Sequence, residues 1–93
     1  MSPRRAYRRA AAVVARAHGL PVAQVLHPKG RTARAARMRA VYLTVISGVS
    51  ARAVARHCAV PWTTVRRHLR LVEDARDNPD IDRRLSTLEE RLA

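Results

Sequence analysis

The segment 50–72 constrains the fold most, because it contains two helical patterns separated by a tight turn. The first helix is short and apolar, with inward positions Ala53, Val54 and Cys58. A turn over 59–61 follows, and the second helix then keeps apolar side chains at helical spacing, namely Val65, Leu69 and Val72. Two short helices joined in this way predict a helix-turn-helix.

The second of these helices has a polar side opposite its apolar stripe. At about 100° per residue, one group of side chains projects together from that side: Trp62, Thr63, Arg66, Arg67 and Arg70. Threonine can contact thymine methyls, and arginine can bond guanine edges or phosphates, so this chemistry suits the major groove of DNA. The alternative is an ordinary helical corner with a solvated basic face. For Trp62, stacking on DNA and packing over the turn both remain open.

Acidic residues are confined to the end of the chain. The protein has 19 Lys and Arg against 7 Asp and Glu, a formal net charge of +12. No acid precedes Glu73, whereas 15 of the 19 basic residues lie within 1–72. A surface without carboxylates repels itself, and a polyanion relieves that repulsion. The distribution of charge therefore favours a nucleic-acid partner.

Length and composition predict one all-α domain over 1–93. Phe is absent and the aromatic residues are Trp62, Tyr7 and Tyr42, so the core must consist mainly of Ala, Val, Leu and Ile, which favours close-packed helices. The single Cys58 cannot form an internal disulfide and fits a reduced cytosol. No apolar run approaches the roughly 20 residues of a membrane span. We therefore expect a cytoplasmic, nucleoid-associated protein with no membrane partner.

About six helical segments are predicted. The first runs from Pro3 to about His18, with Gly19 as its stop and an apolar face of Tyr7, Ala10 or Ala11, Val14 and Ala17. A short helix over 22–26 and a basic loop over 27–33 follow. A longer helix from about Ala33 to Ser47 is expected to bury Met38, Val41, Tyr42, Val45 and Ile46.

The final helix is predicted within 79–92, with Asn78 or Asp80 as its N-cap. Its apolar residues recur at 4-3-4 spacing: Ile81, Leu85, Leu88 and Leu92. A small domain needs such a stripe for its core, but the same stripe could form a dimer or partner interface.

Four stretches of the chain are similar to segments of a known family and occur in the same order. AAAVVARAHGLPVAQVL combines a helix with a small turn, and PKGRTARAARMRAVYL runs from a basic loop into a helix ending Ala-x-Tyr-Leu. The triplet Thr63-Thr64-Val65 comes next, and LRLVEDARDNPDIDRRLSTLEERL closes the chain. Over roughly Tyr7 to Leu92 this order resembles the C-terminal DNA-binding domain (domain IV) of the bacterial replication initiator DnaA.

The resemblance implies a Trp repressor-like helical fold that binds double-stranded DNA as a monomer. It implies that Trp62, Thr63 and Thr64 lie at the major groove, within a contact segment over 62–70. It also implies that Lys29 and Arg31 reach the minor groove or phosphates. Alongside these we expect phosphate contacts from three arginines: Arg52, Arg56 and Arg70.

The chain also departs from the family pattern. DnaA usually has Gly-Gly-Arg-Asp-His before its Thr-Thr-Val, whereas this chain has a turn about one residue shorter and lacks the Asp-His pair. With only Gly19, Gly30 and Gly48, it has no phosphate-binding Gly-x-x-x-x-Gly-Lys loop and so no ATPase module. We therefore expect a DNA-binding regulator of replication initiation or of transcription. The alternative is a regulator that acts through replication-control proteins with only non-specific DNA affinity. RNA binding is disfavoured by the few aromatic residues.

The sequence offers little support for catalysis, a cofactor or a metal. Its histidines are His18, His27, His57 and His68. They lack metal-ligand spacing with one another or with Cys58. Cys58 is expected to be a small core residue. His68 is expected near the DNA face, either touching a phosphate or merely solvated. We expect no enzymatic activity.

Overall fold

The computed structural model describes residues 2–93, which form six α-helices and no β-strand. The helices are α1 (Pro3–His18), α2 (Val22–Leu26), α3 (Arg31–Ile46), α4 (Ala51–His57), α5 (Trp62–Ala75) and α6 (Pro79–Leu92). The predicted all-α class is confirmed. None of the helices in residues 2–93 is both long and apolar enough to span a membrane.

Local signals in the sequence determine both ends of α1. The side chain of Ser2 accepts a hydrogen bond from the backbone N–H of Arg5 at 3.2 Å, and Pro3 begins the helix. Gly19 ends it in the left-handed region, with φ of 66°. Glycine adopts this conformation without the steric cost of a side chain. The predicted bounds of α1 are confirmed.

The helix α3 begins two residues earlier than predicted. Gly30, with φ of 84°, precedes its first turn, and Arg31 is its first residue. The helix ends at Ile46, and Ser47 forms its C-cap. Arg31 therefore belongs to a helix rather than to the basic loop.

The core lies where α1, α2, α4 and α5 pack around α3, and α6 packs against α1. Since α3 is covered on more than one side, its buried arc is wider than a single stripe. Leu43 and Thr44 are buried in addition to the predicted Val41 and Tyr42, whereas Ile46 is 49% exposed, contrary to prediction. Small side chains allow the close approach of the neighbouring helices, and the buried ones on α3 are Ala33, Ala36 and Ala40.

A similar correction applies to α1 at its C-terminal end. Ala17 was predicted to face inward but is exposed, and Ala15 is buried instead. The other predicted positions are buried, and they are Tyr7, Ala10, Ala11 and Val14. The buried face therefore turns away from Ala17 in the last turn of the helix.

The apolar stripe of α6 contributes to the core. The side chain of Asn78 accepts a hydrogen bond from the N–H of Asp80 at 2.9 Å, so Asn78 is the N-cap. Leu85 and Leu88 are buried, while Ile81 and Leu92 pack partly against the same cluster. The four leucine and isoleucine side chains of α6 are thus used within the domain, which disfavours the interface alternative.

The end of α5 is attached to α6 through one arginine. The guanidinium of Arg76 donates hydrogen bonds to Asp82 at 2.6 Å, to Ser86 at 3.1 Å, to the Tyr42 hydroxyl at 3.1 Å and to Glu89. The hydrogen bonds that Arg76 donates to Glu89 and Asp82 raise the pKa of Arg76 above its usual value. This cluster joins α3, α5 and α6 and occupies two of the carboxylates of α6.

Candidate nucleic-acid interface

Helices α4 and α5 pack against each other and are joined by a four-residue turn, 58–61. Ser50 caps α4 by accepting a hydrogen bond from the N–H of Ala53 at 3.1 Å. Val60, only 1% exposed, inserts its side chain into the core and anchors the turn. The turn is one residue longer than predicted, because α4 ends at His57 and Cys58 forms its C-cap.

Ala59 adopts a left-handed backbone conformation in this turn. Its φ is 55°, the one positive φ of a non-glycine residue among those the structure describes. This conformation is unfavourable for a residue with a side chain by roughly 1–2 kcal/mol. Packing of Val60 and of the two helices must offset this cost.

The inner side of α5 is fixed by its apolar residues. Val65 and Val72 are buried and Leu69 is half-buried against the core, as the spacing predicts. The opposite side is exposed and carries the five residues expected to project together: Trp62, Thr63, Arg66, Arg67 and Arg70. We refer to these five residues as the α5 face.

The α5 face contains a shallow cleft with a strongly positive lining. Thr63, Arg66, Arg67 and Arg70 border a cleft of about 420 Å³. Within residues 2–93 the ion pairs of carboxylates involve Arg76 and Arg83, and none involves an arginine of the α5 face. These guanidinium groups therefore keep their hydrogen-bond donors available for an anion.

Trp62 connects α4 to α5 through its indole ring. The guanidinium carbon of Arg52 lies 5.0 Å from the ring centroid, and that of Arg66 lies 5.9 Å away. Both distances are within the range of cation–π attraction. The ring is 36% exposed, so it is neither buried over the turn nor free in solvent. Trp62 thus holds two arginines of different helices on one surface.

The remaining predicted residues lie apart from this arrangement. Lys29 is exposed in the loop before α3, and Arg31 is exposed in its first turn. Neither shares a hydrogen bond, ion pair or ring contact with the α5 face in the described part of the chain. Thr64 is half-buried on the flank of α5, and Arg56 is exposed on α4.

The N-terminus of α1 lies against the α4–α5 turn. The sequence analysis did not predict this contact. Nε of Arg4 donates a hydrogen bond to the carbonyl oxygen of His57 at 3.1 Å, at the C-terminus of α4. The thiol of Cys58 lies 3.8 Å from the carbonyl oxygen of Pro3, and burial raises the pKa of this thiol. A cation at a helix C-terminus is favourable because of the helix dipole.

This contact extends the positive surface around the turn. A cleft of about 250 Å³ separates α1 from the end of α2 and the turn, and its basic lining consists of Arg4, Arg8, His27 and His57. The arginine-rich start of the chain was a visible signal. Its position beside the turn depends on tertiary packing, which local sequence patterns do not specify.

His68 was expected near the DNA face, either touching a phosphate or merely solvated, and it lies outside the five residues of the α5 face. Its ring is half-buried, and its Nδ1 is buried without a hydrogen-bond partner among the described residues. Burial lowers the pKa of His68, and the nearby charges of Arg37 and Arg67 lower it further. Burial also raises the pKa of Tyr7, whose hydroxyl lies near Arg37. Its partial burial and lowered pKa favour a packing role for His68 over a fully solvated imidazole.

No group of three or more His, Cys, Asp or Glu side chains within residues 2–93 is arranged to hold a metal ion. Comparison of the chain with protein-family models, with curated proteins and with solved structures finds no match. The resemblance to DnaA domain IV therefore remains a prediction from the residues.

Proposed function

We propose that this protein binds double-stranded DNA through the α4–α5 unit, acting as a helix-turn-helix with the α5 face in the major groove. The observation that carries the proposal is the grouping of Trp62, Arg52 and Arg66 beside the cleft of Thr63, Arg67 and Arg70. The group is exposed and positively charged, and no carboxylate pairs with its arginines among residues 2–93.

In this proposal, different residues of the two helices contact the phosphates and the bases of the DNA. Phosphate contacts come from Arg52, Arg56 and Arg70, with Arg4 and Arg8 adding charge beside the turn. Base contacts come from the first two turns of α5, where Thr63, Arg66 and Arg67 project. Lys29 and Arg31 form a separate positive site that contacts the minor groove or flanking phosphates.

We further propose, from the resemblance to DnaA domain IV, that the bound DNA belongs to a replication origin or a promoter and that the protein regulates initiation there. The function is one of binding and involves no chemical step. The turn 58–61 differs from the family pattern, so the DNA sequence preferred by this chain differs from the DnaA box at the positions that the turn contacts.

Fluorescence anisotropy at several salt concentrations tests this proposal. The titrations compare a DnaA-box duplex, a scrambled duplex and a site selected from random DNA. Non-specific binding has a dissociation constant of about 10⁻⁴–10⁻⁶ M. Specific binding requires the selected site to bind at least about 10³ times more tightly than the scrambled duplex.

The variant Arg66→Ala sharpens the test. If Arg66 contacts a base, Arg66→Ala weakens binding to the selected site by about 1–3 kcal/mol. It then also lowers the ratio of affinities between the selected site and the scrambled duplex. Arg83→Ala is the charge-matched control, since Arg83 lies on α6. If no sequence is selected and all duplexes bind alike, DNA recognition is overturned and the regulator acts through protein contacts instead.

A further inference from the structure

A third cleft with a basic lining lies away from the α5 face, between α1, α3 and α6. Its volume is about 350 Å³, at the lower end of the range found for small-molecule sites. Leu88 and Ala17 supply an apolar part of the lining, and the polar part consists of His18, Arg39, Arg84, Thr87 and Arg91. No carboxylate lines it, and it shares no residue with the α5 face.

The charges in this cleft are not compensated within the domain. Arg39 and Arg84 line the same cleft; burial lowers the pKa of Arg39, and the charge of Arg84 lowers it further. In the described part of the chain, Arg39, Arg84 and Arg91 form no ion pair.

Three of the four acidic side chains of α6 pair with arginines outside the cleft. Asp82 and Glu89 bond Arg76, and Asp80 lies 3.5 Å from Arg83. Glu90 forms no ion pair among residues 2–93 and does not line the cleft, whereas Arg84 and Arg91, two turns apart on the same helix, do line it.

One of the arginines is held in position by a histidine. Nη1 of Arg39 donates a hydrogen bond to Nε2 of His18 at 3.0 Å. A guanidinium cannot accept a hydrogen bond, so this ring nitrogen of His18 must be the unprotonated one. Burial, followed by the charge of Arg39, lowers the pKa of His18, which keeps the ring neutral. The hydrogen bond thus holds the half-buried Arg39 in the lining of the cleft.

We propose that this cleft binds a small phosphorylated ligand carrying two or more phosphate charges. Guanidinium groups match the planar geometry of phosphate oxygens and bond them in pairs. Three such groups around one concavity fit a diphosphate better than a single carboxylate. The apolar part beside Leu88 accommodates the organic portion of a phosphate ester.

Pyrophosphate is the probe, titrated into the ¹⁵N-labelled full chain at constant ionic strength maintained with chloride. The Nε–H signals of Arg39, Arg84 and Arg91 and the ring signals of His18 are expected to shift together and to saturate below about 1 mM, a modest affinity typical of a small anion. A phosphate monoester added in a second titration determines whether an organic group improves binding.

Arg84→Gln is the principal variant, because Arg84 is exposed and its loss should not impair folding. It is expected to weaken pyrophosphate binding about tenfold, and Arg91→Gln serves as the second variant. Arg83→Gln is the matched control and should leave the affinity unchanged. Shifts that do not saturate, equal binding by Arg84→Gln, or shifts confined to the α5 face would overturn the proposal.

The outcome is independent of the DNA-binding proposal. Arg84→Gln should leave DNA affinity within about twofold, and Arg66→Ala should leave pyrophosphate binding unchanged, because the two sites share no residue. If Arg84→Gln instead abolishes DNA binding and DNA displaces pyrophosphate, the cleft is a contact for nucleic-acid phosphates and the small-ligand site is wrong.

Discussion

The guanidinium carbon of Arg52 on α4 lies 5.0 Å from the ring centroid of Trp62 on α5. This contact joins the two helices on their exposed side, whereas Val54, Val60 and Val65 join them in the core. Since Arg66 approaches the same ring at 5.9 Å, one indole positions two positive charges. Exposed cation–π contacts of this kind contribute about 0.5–1 kcal/mol each.

Replacement of Trp62 tests this arrangement. Trp62→Ala removes the common ring, so Arg52 and Arg66 become mobile and must be ordered again upon DNA binding. We expect DNA affinity to fall about fivefold to thirtyfold, corresponding to about 1–2 kcal/mol, in an anisotropy titration. Trp62→Phe retains a ring and should lose less. Equal losses in the two variants would show that the indole, rather than an aromatic face, is required.

The left-handed conformation of Ala59 predicts a stabilising substitution. Ala59→Gly removes the strain of a side chain at φ 55°, while the unfolded chain gains some entropy. We expect the free energy of unfolding to rise by about 0.5–1 kcal/mol in urea denaturation. Ala12→Gly, at an exposed position within α1, is the control and should lower it by about 1 kcal/mol. A decrease in both variants would contradict the conformation of the turn.

The cluster around Arg76 is expected to stabilise the domain. Arg76→Ala leaves Asp82 and Glu89 without their partner and should lower the free energy of unfolding by about 2–3 kcal/mol. Partial exposure of both carboxylates keeps the loss below that of a fully buried pair. Arg83→Ala disrupts only an exposed pair and should cost less than about 0.5 kcal/mol. If both variants lose a similar free energy of unfolding, the cluster around Arg76 does not stabilise the domain more than an exposed ion pair does.

The lowered pKa values of two histidines predict that the protein loses stability in mild acid. Burial lowers the pKa of both His18 and His68 in the folded protein, so the unfolded chain binds their protons more tightly. Stability is therefore complete above the unfolded value of about 6.5 and declines as the pH falls below it. Chemical denaturation between about pH 7.5 and 5 should show this decline, and His68→Gln should reduce it. An unchanged slope in His68→Gln would assign the effect to other groups.

Much of the fold follows from local patterns in the sequence. Gly19 and Asn78 mark helix boundaries that the structure reproduces, and the spacing of Val65, Leu69 and Val72 identifies the inner side of α5. These features depend on helix periodicity and capping, which neighbouring residues determine.

The errors arise where packing from several directions decides burial. The periodicity of α3 predicted that Ile46 is buried, but it is the last residue of the helix and is 49% exposed. Contacts with more than one helix bury Leu43 and Thr44 in addition. His68 was expected near the DNA face, but it is half-buried, and the charge of Arg37 on α3 lowers its pKa. The positions of Arg4 beside His57 and of Arg39 beside His18 join distant parts of the chain, so sequence periodicity could not show them.

The most direct measurement is a titration of the ¹⁵N-labelled protein with its selected DNA duplex, followed through the indole N–H of Trp62. The chain has one tryptophan, so the signal needs no further assignment. If α5 enters the major groove, this signal and the backbone amides of the α4–α5 turn and first two turns of α5 shift the most, and they return when salt dissociates the complex. A stationary Trp62 signal, with shifts confined to α6 or to the cleft between α1, α3 and α6, would contradict DNA binding through the α5 face.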